Sequence, residues 1–230
     1  MSRRIGPASA AVLIVLAGVL VLTRTSAGTA RAAMQLPAPP SAAQLAAEQG
    51  SDTAYFAGGC FWGVEAVFEH MKGVESAVSG FSGGTVTSPS YEQVTLGSTG
   101  HAETVRVVYD PSQVSYGQLL LIFFAVVHDP TQLNRQGPDV GTHYRSAIFH
   151  TGDTQRNAAT EYIAKLAAAK AFPRPIVTQV VPFDRFYVAE DYHQDFAERH
   201  PNHPYIRYHD APKVAHLKRE YSELYRDRSD

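Results

Sequence analysis

Hydrophobic and polar positions follow two different periods along the chain from residue 53 onward. In residues 103–109 the period is two, with Val105, Val107 and Tyr109 on one face, which is typical of a half-buried strand. In residues 61–71 apolar side chains recur every three or four positions, which predicts an amphipathic helix that stops at Gly73. The same two periods predict strands at 53–56, 74–81, 144–150 and 176–181 and helices at 116–127, 153–171, 189–199 and 214–225.

Strands and helices therefore interleave, separated by two polar stretches, residues 85–99 and 131–142, that are predicted to be loops. This order predicts an α+β fold, a two-layer sandwich in which helices pack on a mixed sheet with a ferredoxin-like core. The composition agrees with a folded chain, because 44% hydrophobic and 18% charged residues exclude a disordered or collagen-like protein.

The first 32 residues have the pattern of a signal peptide. Arg3 and Arg4 precede an apolar run at 10–22, and Ala30-Arg31-Ala32 fits a cleavage site. The alternative is an uncleaved membrane anchor, although 13 apolar residues fall short of the roughly 20 that span a bilayer. We expect export to the periplasm or the medium, with membrane anchoring if the signal is retained.

Residues 33–51 are rich in Ala, Pro and Gln and are predicted to be a flexible tether. The folded domain is then 52–230. Without residues 1–32, which contain four Arg and no acid, the chain has a formal net charge of −6. Such a domain offers no broad basic surface for nucleic acid or for an anionic membrane.

Cys60 is the single cysteine, so an intramolecular disulfide and a zinc site of several thiolates are both excluded. It follows Gly58-Gly59 where a predicted strand ends and a predicted helix begins. The glycines allow a tight turn that leaves the sulfur accessible, and a helix N-terminus favours the thiolate, which is the nucleophile. The alternative is a small buried hydrophobic residue of the core.

Two large aromatic residues, Phe61 and Trp62, follow the cysteine. They are either core residues or the walls of an apolar pocket for a methyl or thioether group, and the sequence does not separate the two. Glu103 shares the inward face of its strand with Val105. If it is buried, desolvation raises its pKa and makes it a proton donor near neutral pH; the alternative is a solvated strand end.

The remaining candidates are weaker. Tyr91 and Tyr144 lie in or beside the polar loops and either bind an oxygen through their hydroxyl groups or merely pack. Asp139 is interpreted as a solvated turn residue on its pattern alone. His101 or His128 would serve a Cys–His pair. The chain contains ten histidines without an HExxH pattern, and we expect no metal.

Three strings in order, GCFWG at 59–63, GHAE at 100–103 and GTHYRS at 141–146, resemble the A-type peptide methionine sulfoxide reductases. The resemblance extends from about residue 55 to about residue 226. It implies reduction of methionine S-sulfoxide, free or in proteins, to methionine.

The resemblance also implies roles for residues at the matching positions. Cys60 would attack the sulfoxide sulfur and become a sulfenic acid, and Glu103 would protonate the sulfoxide oxygen. Tyr91 and Tyr144 would donate hydrogen bonds to that oxygen. The other matching positions are Phe61 and Trp62, for the substrate methyl group, and Asp139, in a supporting role.

One departure from the family concerns the C-terminal tail. Many members carry resolving cysteines there, whereas HPYIR at 203–207 has none, so this is a single-cysteine form. An external thiol, small or from a thioredoxin-like protein, must then reduce the sulfenic acid, and we expect no bound cofactor and a monomer. Two other functions fit the same thiol: a Cys–His acyl-transfer enzyme and a non-catalytic redox sensor.

Overall fold

The computed structural model describes residue 1, residues 36–40 and residues 52–228. Apart from Met1, the predicted signal peptide lies outside the described residues. None of the helices described in those ranges is both long enough and apolar enough to cross a bilayer.

A sheet of six strands forms the centre of the domain. The strands along the chain are β1 (Asp52–Gly58), β2 (Val74–Ser82), β3 (Ala102–Tyr109), β4 (Arg135–Gln136), β5 (Asp139–Val140), β6 (Ser146–His150), β7 (Gln179–Pro182) and β8 (Phe186–Val188). The order in the sheet is β7-β6-β1-β3-β2-β8, while β4 and β5 form a separate hairpin. Only β6 and β7 pair in parallel among these strands, so the sheet is mixed.

Six α-helices accompany the strands in the described part of the chain. They are α1 (Phe61–Glu69), α2 (Tyr91–Thr95), α3 (Tyr116–Ile122), α4 (Asp153–Ala168), α5 (Phe196–Arg199) and α6 (Ala211–Glu220). The succession β1-α1-β2-β3-α3-β6 with the strand order β6-β1-β3-β2 is a ferredoxin-like core. The predicted α+β class with this core is confirmed.

The predicted loop at 85–99 is wrong in part, because it contains α2. Ser90 accepts a hydrogen bond from the backbone N–H of Gln93, whose side chain accepts one from the backbone N–H of Ser90. This capping box satisfies two N–H groups at the helix start and stabilises a helix too short to show a period. The predicted loop at 131–142 likewise contains the β4–β5 hairpin.

Three other differences are a shortened helix, a divided helix and a missed strand. The helix predicted at 116–127 is α-helical only to Ile122 and continues as a π-helical turn, Phe123–Val127. The helix predicted at 189–199 is divided by Asp195, which has φ +52° and cannot continue a right-handed helix. The sequence analysis missed β8, whose three residues are too few for an alternating pattern.

The main core lies between the sheet and the helices. Phe56 of β1 stacks on Phe68 of α1 at 5.1 Å and on Phe123 at 4.9 Å, and all three side chains are inaccessible to solvent. This packing holds α1 against the end of β1. Residues 36–40 lie within the predicted tether and contact this domain, since the Tyr162 hydroxyl donates to the Pro37 carbonyl at 3.0 Å.

Candidate active site

Cys60 occupies the junction between β1 and α1 and is the N-cap residue of α1. Gly59 has φ +95°, a conformation that L side chains rarely adopt, and a Cβ there would lie 2.6 Å from the Gln136 side chain. The turn therefore requires glycine, and the β4–β5 hairpin closes over it. Cys60 is 8% exposed.

The expectation of an accessible thiolate is wrong for the resting site. Burial raises the pKa of Cys60 well above its ordinary value, and the nearby carboxylates of Glu103 and Asp210 raise it further. A hydrogen bond from the backbone N–H of Trp62 and the charge of Lys213 act in the opposite direction but do not compensate. The helix N-terminus is present, but desolvation outweighs it and the resting thiol is neutral.

Glu103 lies on β3 and is 1% exposed, so its side chain faces the interior. Its Oε2 accepts a hydrogen bond from the backbone N–H of Phe61 at 2.9 Å. Burial raises the pKa of Glu103 to about 8, with smaller contributions from Asp139 and Asp210 in the same direction. The carboxyl group is therefore largely protonated at pH 7. Its hydrogen bond to Phe61 places it next to Cys60.

Tyr91 and Tyr144 converge on the same space. Burial raises the pKa of Tyr91 to about 12, and the charges of Glu103 and Cys60 add to the effect. The pKa of Tyr144 is also raised, by burial first and then by Glu103, Tyr91 and Cys60. Both hydroxyl groups keep their protons and can donate hydrogen bonds next to the thiol and the acid.

The two aromatic residues after the cysteine differ in their surroundings. Phe61 is 1% exposed and contacts the ring of Phe81 at 5.8 Å, so it belongs to the core. Trp62 is half-buried and stacks on Phe196, with ring centroids 3.8 Å apart and an interplanar angle of 9°. Its Nε1–H donates to Nδ1 of His193 at 3.2 Å. The orientation of the Trp62 ring is thus fixed by its stacking on α5 and by its hydrogen bond to His193.

Asp139 is not the solvated turn residue that its pattern indicates. It lies on β5, is half-buried, and accepts a hydrogen bond from the hydroxyl of Tyr205. Tyr205 belongs to the C-terminal tail and also contacts the edge of the Trp62 ring at 5.9 Å. The tail therefore closes one side of the site.

Sequence reasoning missed Tyr205 and two further tail residues, Asp210 and Lys213. Asp210 is fully buried, and its Oδ1 accepts from Nζ of Lys213 at 3.1 Å. A Cβ at Gly63 would lie 2.0 Å from that Oδ1 and 2.7 Å from Lys213 Nζ, so the last glycine of the GCFWG string makes room for the pair. In the sequence, Gly63 indicated that another group lies close to the start of α1, but it did not identify that group as Asp210 and Lys213.

The hypothesis of a Cys–His pair is wrong. His101 accepts from the backbone N–H of Gly84 through Nδ1 at 3.1 Å, and its Nε2 lies 2.8 Å from the Val86 carbonyl oxygen. In His128, Nδ1 lies 2.9 Å from the Phe123 carbonyl oxygen, and Nε2 lies 2.7 Å from the Ser146 hydroxyl oxygen. Both ring nitrogens of each histidine are engaged away from the sulfur.

Comparison with known proteins gives one consistent result. Residues 52–225 match the family model described as peptide methionine sulfoxide reductase. The chain is 56% identical over 182 residues to a peptide methionine sulfoxide reductase of Mesorhizobium japonicum, covering 79% of this chain and 93% of that protein. It is 51% identical to one of Deinococcus radiodurans over 175 residues, covering 76% and 84%.

The fold comparison agrees. The structure of methionine sulfoxide reductase A of Corynebacterium diphtheriae superimposes with a TM-score of 0.59 at 36% sequence identity. The match covers 73% of this chain and 83% of the other.

Proposed function

This chain belongs to the peptide methionine sulfoxide reductase family, and we propose that it reduces methionine S-sulfoxide, free or in proteins, through a sulfenic acid on Cys60. Glu103 is the proton donor in this proposal. The observation that carries it is the buried Glu103 carboxyl, which accepts a hydrogen bond from the N–H of Phe61 directly after the cysteine and whose pKa burial raises to about 8.

The chemical problem is the sulfoxide oxygen, which is a poor leaving group until it is protonated. Glu103 supplies that proton, and Tyr91 and Tyr144 donate hydrogen bonds to the same oxygen. The Cys60 sulfur attacks the sulfoxide sulfur, and the oxygen passes to Cys60 as the S–O bond of the substrate breaks. One thiol and one sulfoxide become one sulfenic acid and one thioether, so Cys60 is oxidised and the substrate sulfur is reduced.

The pocket for the substrate methyl group is assigned to Phe61 and Trp62. Phe61 is fixed in the core, and Trp62 is held by its stacking on Phe196. A wall fixed relative to the oxygen-binding groups places methyl and oxygen in defined positions, which selects one sulfur epimer. Asp139 supports the site indirectly, because its hydrogen bond with Tyr205 holds the tail in place.

Recycling requires a thiol from outside, because Cys60 is the only cysteine of the chain. A first external thiol attacks the sulfenic acid and releases water, which leaves a mixed disulfide on Cys60. A second thiol attacks the external sulfur of that disulfide and frees Cys60. A thioredoxin-like protein provides both thiols in one molecule, and two small thiols would serve equally.

The decisive experiment is incubation with each methionine sulfoxide epimer, with and without dithiothreitol. We expect about one equivalent of methionine from the S epimer without reductant and repeated turnover with it, since one thiol is consumed per cycle. Mass spectrometry should find a sulfenic acid on Cys60, whereas a redox sensor would be sulfenylated by peroxide alone and release no methionine. Full activity in Cys60→Ser would rule out this function.

We also propose that the protein is exported. The proposal rests on Arg3 and Arg4, the apolar run at 10–22 and the Ala30-Arg31-Ala32 site. N-terminal sequencing of the protein recovered from cell fractions tests it. A new N-terminus near residue 33 outside the cytoplasm is expected, and retention of Met1 in the membrane fraction would indicate an uncleaved anchor.

A further inference from the structure

A single buried histidine contacts both halves of the candidate site. His193 ends a 3₁₀ turn, Asp191–His193, and is 1% exposed. Its ring centroid lies 5.0 Å from that of Phe61 and 5.8 Å from that of Trp62, the two residues assigned to the substrate methyl group. The same centroid lies 4.3 Å from that of Tyr91, which is assigned to the sulfoxide oxygen. One side chain therefore packs against the methyl-binding and the oxygen-binding residues at once.

The turn that carries His193 is fixed to the sheet and to α2. Gln194, the next residue, donates from Nε2 to the Ser79 carbonyl oxygen at 3.0 Å, and its Oε1 accepts from the Ser79 N–H at 2.9 Å. Glu190, directly before the turn, accepts from the Tyr91 N–H through Oε1 at 3.0 Å. Because Ser79 belongs to β2 and Tyr91 begins α2, the histidine ring is held relative to both elements.

The hydrogen bond to Trp62 determines the state of the His193 ring. An indole Nε1–H can only donate, so Nδ1 of His193, 3.2 Å away, is the acceptor and carries no proton. Burial lowers the pKa of His193, and the charge of Glu190 opposes this effect without reversing it. The ring is therefore neutral at pH 7, with its proton on Nε2.

The second ring nitrogen shows that packing alone does not account for a histidine at this position. Nε2 of His193 is buried and has no hydrogen-bond partner among the residues that the structure describes. A buried donor without an acceptor lowers stability, and a phenylalanine would fill the same aromatic surroundings without one. The property that a phenylalanine lacks is the Nδ1 acceptor for Trp62.

The two contacts that hold Trp62 act on different parts of its ring. Phe196 stacks on the face of the indole, with centroids 3.8 Å apart, and stacked rings tolerate a lateral offset. The hydrogen bond from Nε1 to His193 is directional and fixes the edge of the indole. His193 therefore determines where the Trp62 ring lies within its own plane, and so how far its edge projects into the site.

We propose that His193 is a positioning residue that determines substrate specificity. Through Nδ1 it holds the edge of Trp62 at the distance from Tyr91 that admits a methyl group on the sulfoxide sulfur and disfavours a larger alkyl group. An apolar pocket distinguishes one methylene by only about 10- to 200-fold, so the position of one wall decides much of the preference. The inference rests on the proposed function, since it assumes that Phe61 and Trp62 bind the methyl group.

The test compares methionine S-sulfoxide with ethionine S-sulfoxide, which carries one more methylene on the sulfur. The measured quantity is the ratio of the two kcat/KM values in the presence of dithiothreitol. His193→Phe keeps an aromatic ring but removes the acceptor, and should lower the preference for methionine sulfoxide about three- to tenfold. His193→Asn keeps an acceptor near the position of Nδ1 and should retain most of the preference. A protein that is only destabilised loses rate with both substrates alike, so a purely structural role leaves the ratio unchanged.

The matched control is His200→Phe, the same substitution at an exposed histidine. The ring of His200 lies 4.5 Å from that of Phe196, so it touches the residue that stacks on Trp62. It forms no hydrogen bond with Trp62 in the described part of the chain, and its ratio should equal that of the unmodified chain.

Three results overturn the proposal. The first is a folded His193→Phe protein that keeps the ratio of the unmodified chain. The second is an equal fall of the ratio in His193→Asn, because the acceptor would then not matter, and the third is an equal fall in His200→Phe. If His193→Phe does not fold, His193→Leu, which also lacks an acceptor, takes its place.

Tryptophan fluorescence separates this inference from the proposed function. Trp62 is the single tryptophan of the chain, so the emission reports its surroundings without any reduction of a sulfoxide. Loss of the acceptor should shift the emission maximum in His193→Phe but not in His200→Phe. If the unmodified chain reduces neither sulfoxide, the proposed function fails and the emission decides the positioning role: a shift upholds it, and an unchanged maximum overturns it.

Discussion

The carboxyl group of Glu103 is tied to the backbone of Phe61, whose N–H donates to Oε2 at 2.9 Å. The bond joins the centre of the sheet to the first residue of α1, across 42 residues of sequence. It fixes the acid next to Cys60 and leaves the other carboxyl oxygen to carry the proton. The relationship gives two independent predictions for Glu103.

The first prediction concerns chemistry. Glu103→Gln keeps an oxygen that can accept from Phe61 but removes the acidic proton, so formation of the sulfenic acid should slow about 10²- to 10⁴-fold at pH 7. Single-turnover measurement of methionine without reductant tests it. At the alkaline pH where Cys60 ionises, Glu103 is ionised as well, and its negative charge raises the pKa of the thiol. The Gln variant lacks that charge, so the pH midpoint of Cys60 alkylation by iodoacetamide should fall. An undiminished methionine burst would exclude Glu103 as the acid.

The second prediction concerns stability. The pKa of Glu103 is raised to about 8 in the folded chain, so between its unfolded pKa and pH 8 the native state keeps a proton that the unfolded state releases. The contribution of this proton to the free energy of unfolding is fully present below about pH 4 and is lost as the pH rises through 8. It amounts to at most about 5 kcal/mol, by conversion of the pKa difference.

Urea denaturation at a series of pH values measures this effect as the difference between the unmodified chain and Glu103→Gln. The unmodified chain should lose stability relative to the variant between pH 5 and pH 8. Parallel curves would show that the carboxyl is ionised in the native state at neutral pH.

A third prediction concerns Tyr205, which sequence analysis missed. Tyr205→Phe removes the hydroxyl that donates to Asp139 and should cost about 1 kcal/mol of unfolding free energy. It should also lower turnover severalfold, because the tail loses its link to the β4–β5 hairpin. Tyr208→Phe is the control, since Tyr208 is 75% exposed and should tolerate the change. Equal activity of the two variants would argue against a role for the hydrogen bond.

The fourth prediction compares two capping boxes. Ser90 caps α2, which begins at Tyr91, and Ser115 caps α3 in the same way. Ser90→Ala and Ser115→Ala should each lower the free energy of unfolding by about 1 kcal/mol. Only Ser90→Ala should also reduce the single-turnover rate, because it releases the helix start that places the Tyr91 hydroxyl. Equal rates in the two variants, measured well below their melting temperatures, would contradict this.

Much of the fold follows from local pattern. The strict alternation in residues 103–109 predicted β3 and placed Glu103 on the face of Val105 and Val107, since the side-chain period of a strand leaves only two choices. The helical period in residues 61–71 predicted α1 with Cys60 at its start. Elements without a period were missed: α2 depends on a cap and β8 on pairing with β2.

In the candidate site, too, some features follow from local sequence and others only from the tertiary structure. The order of residues determined that Cys60 ends a glycine turn at a helix start and that Glu103 shares a strand face with Val105, while the burial of Glu103 was decided by the tertiary structure. Tertiary structure alone decided that Tyr205, Asp210 and Lys213 of a distant tail surround them. It also decided the state of the thiol, because the pKa depends on burial and on charges far away in sequence. A helix start favours a thiolate, but here desolvation and two carboxylates prevail.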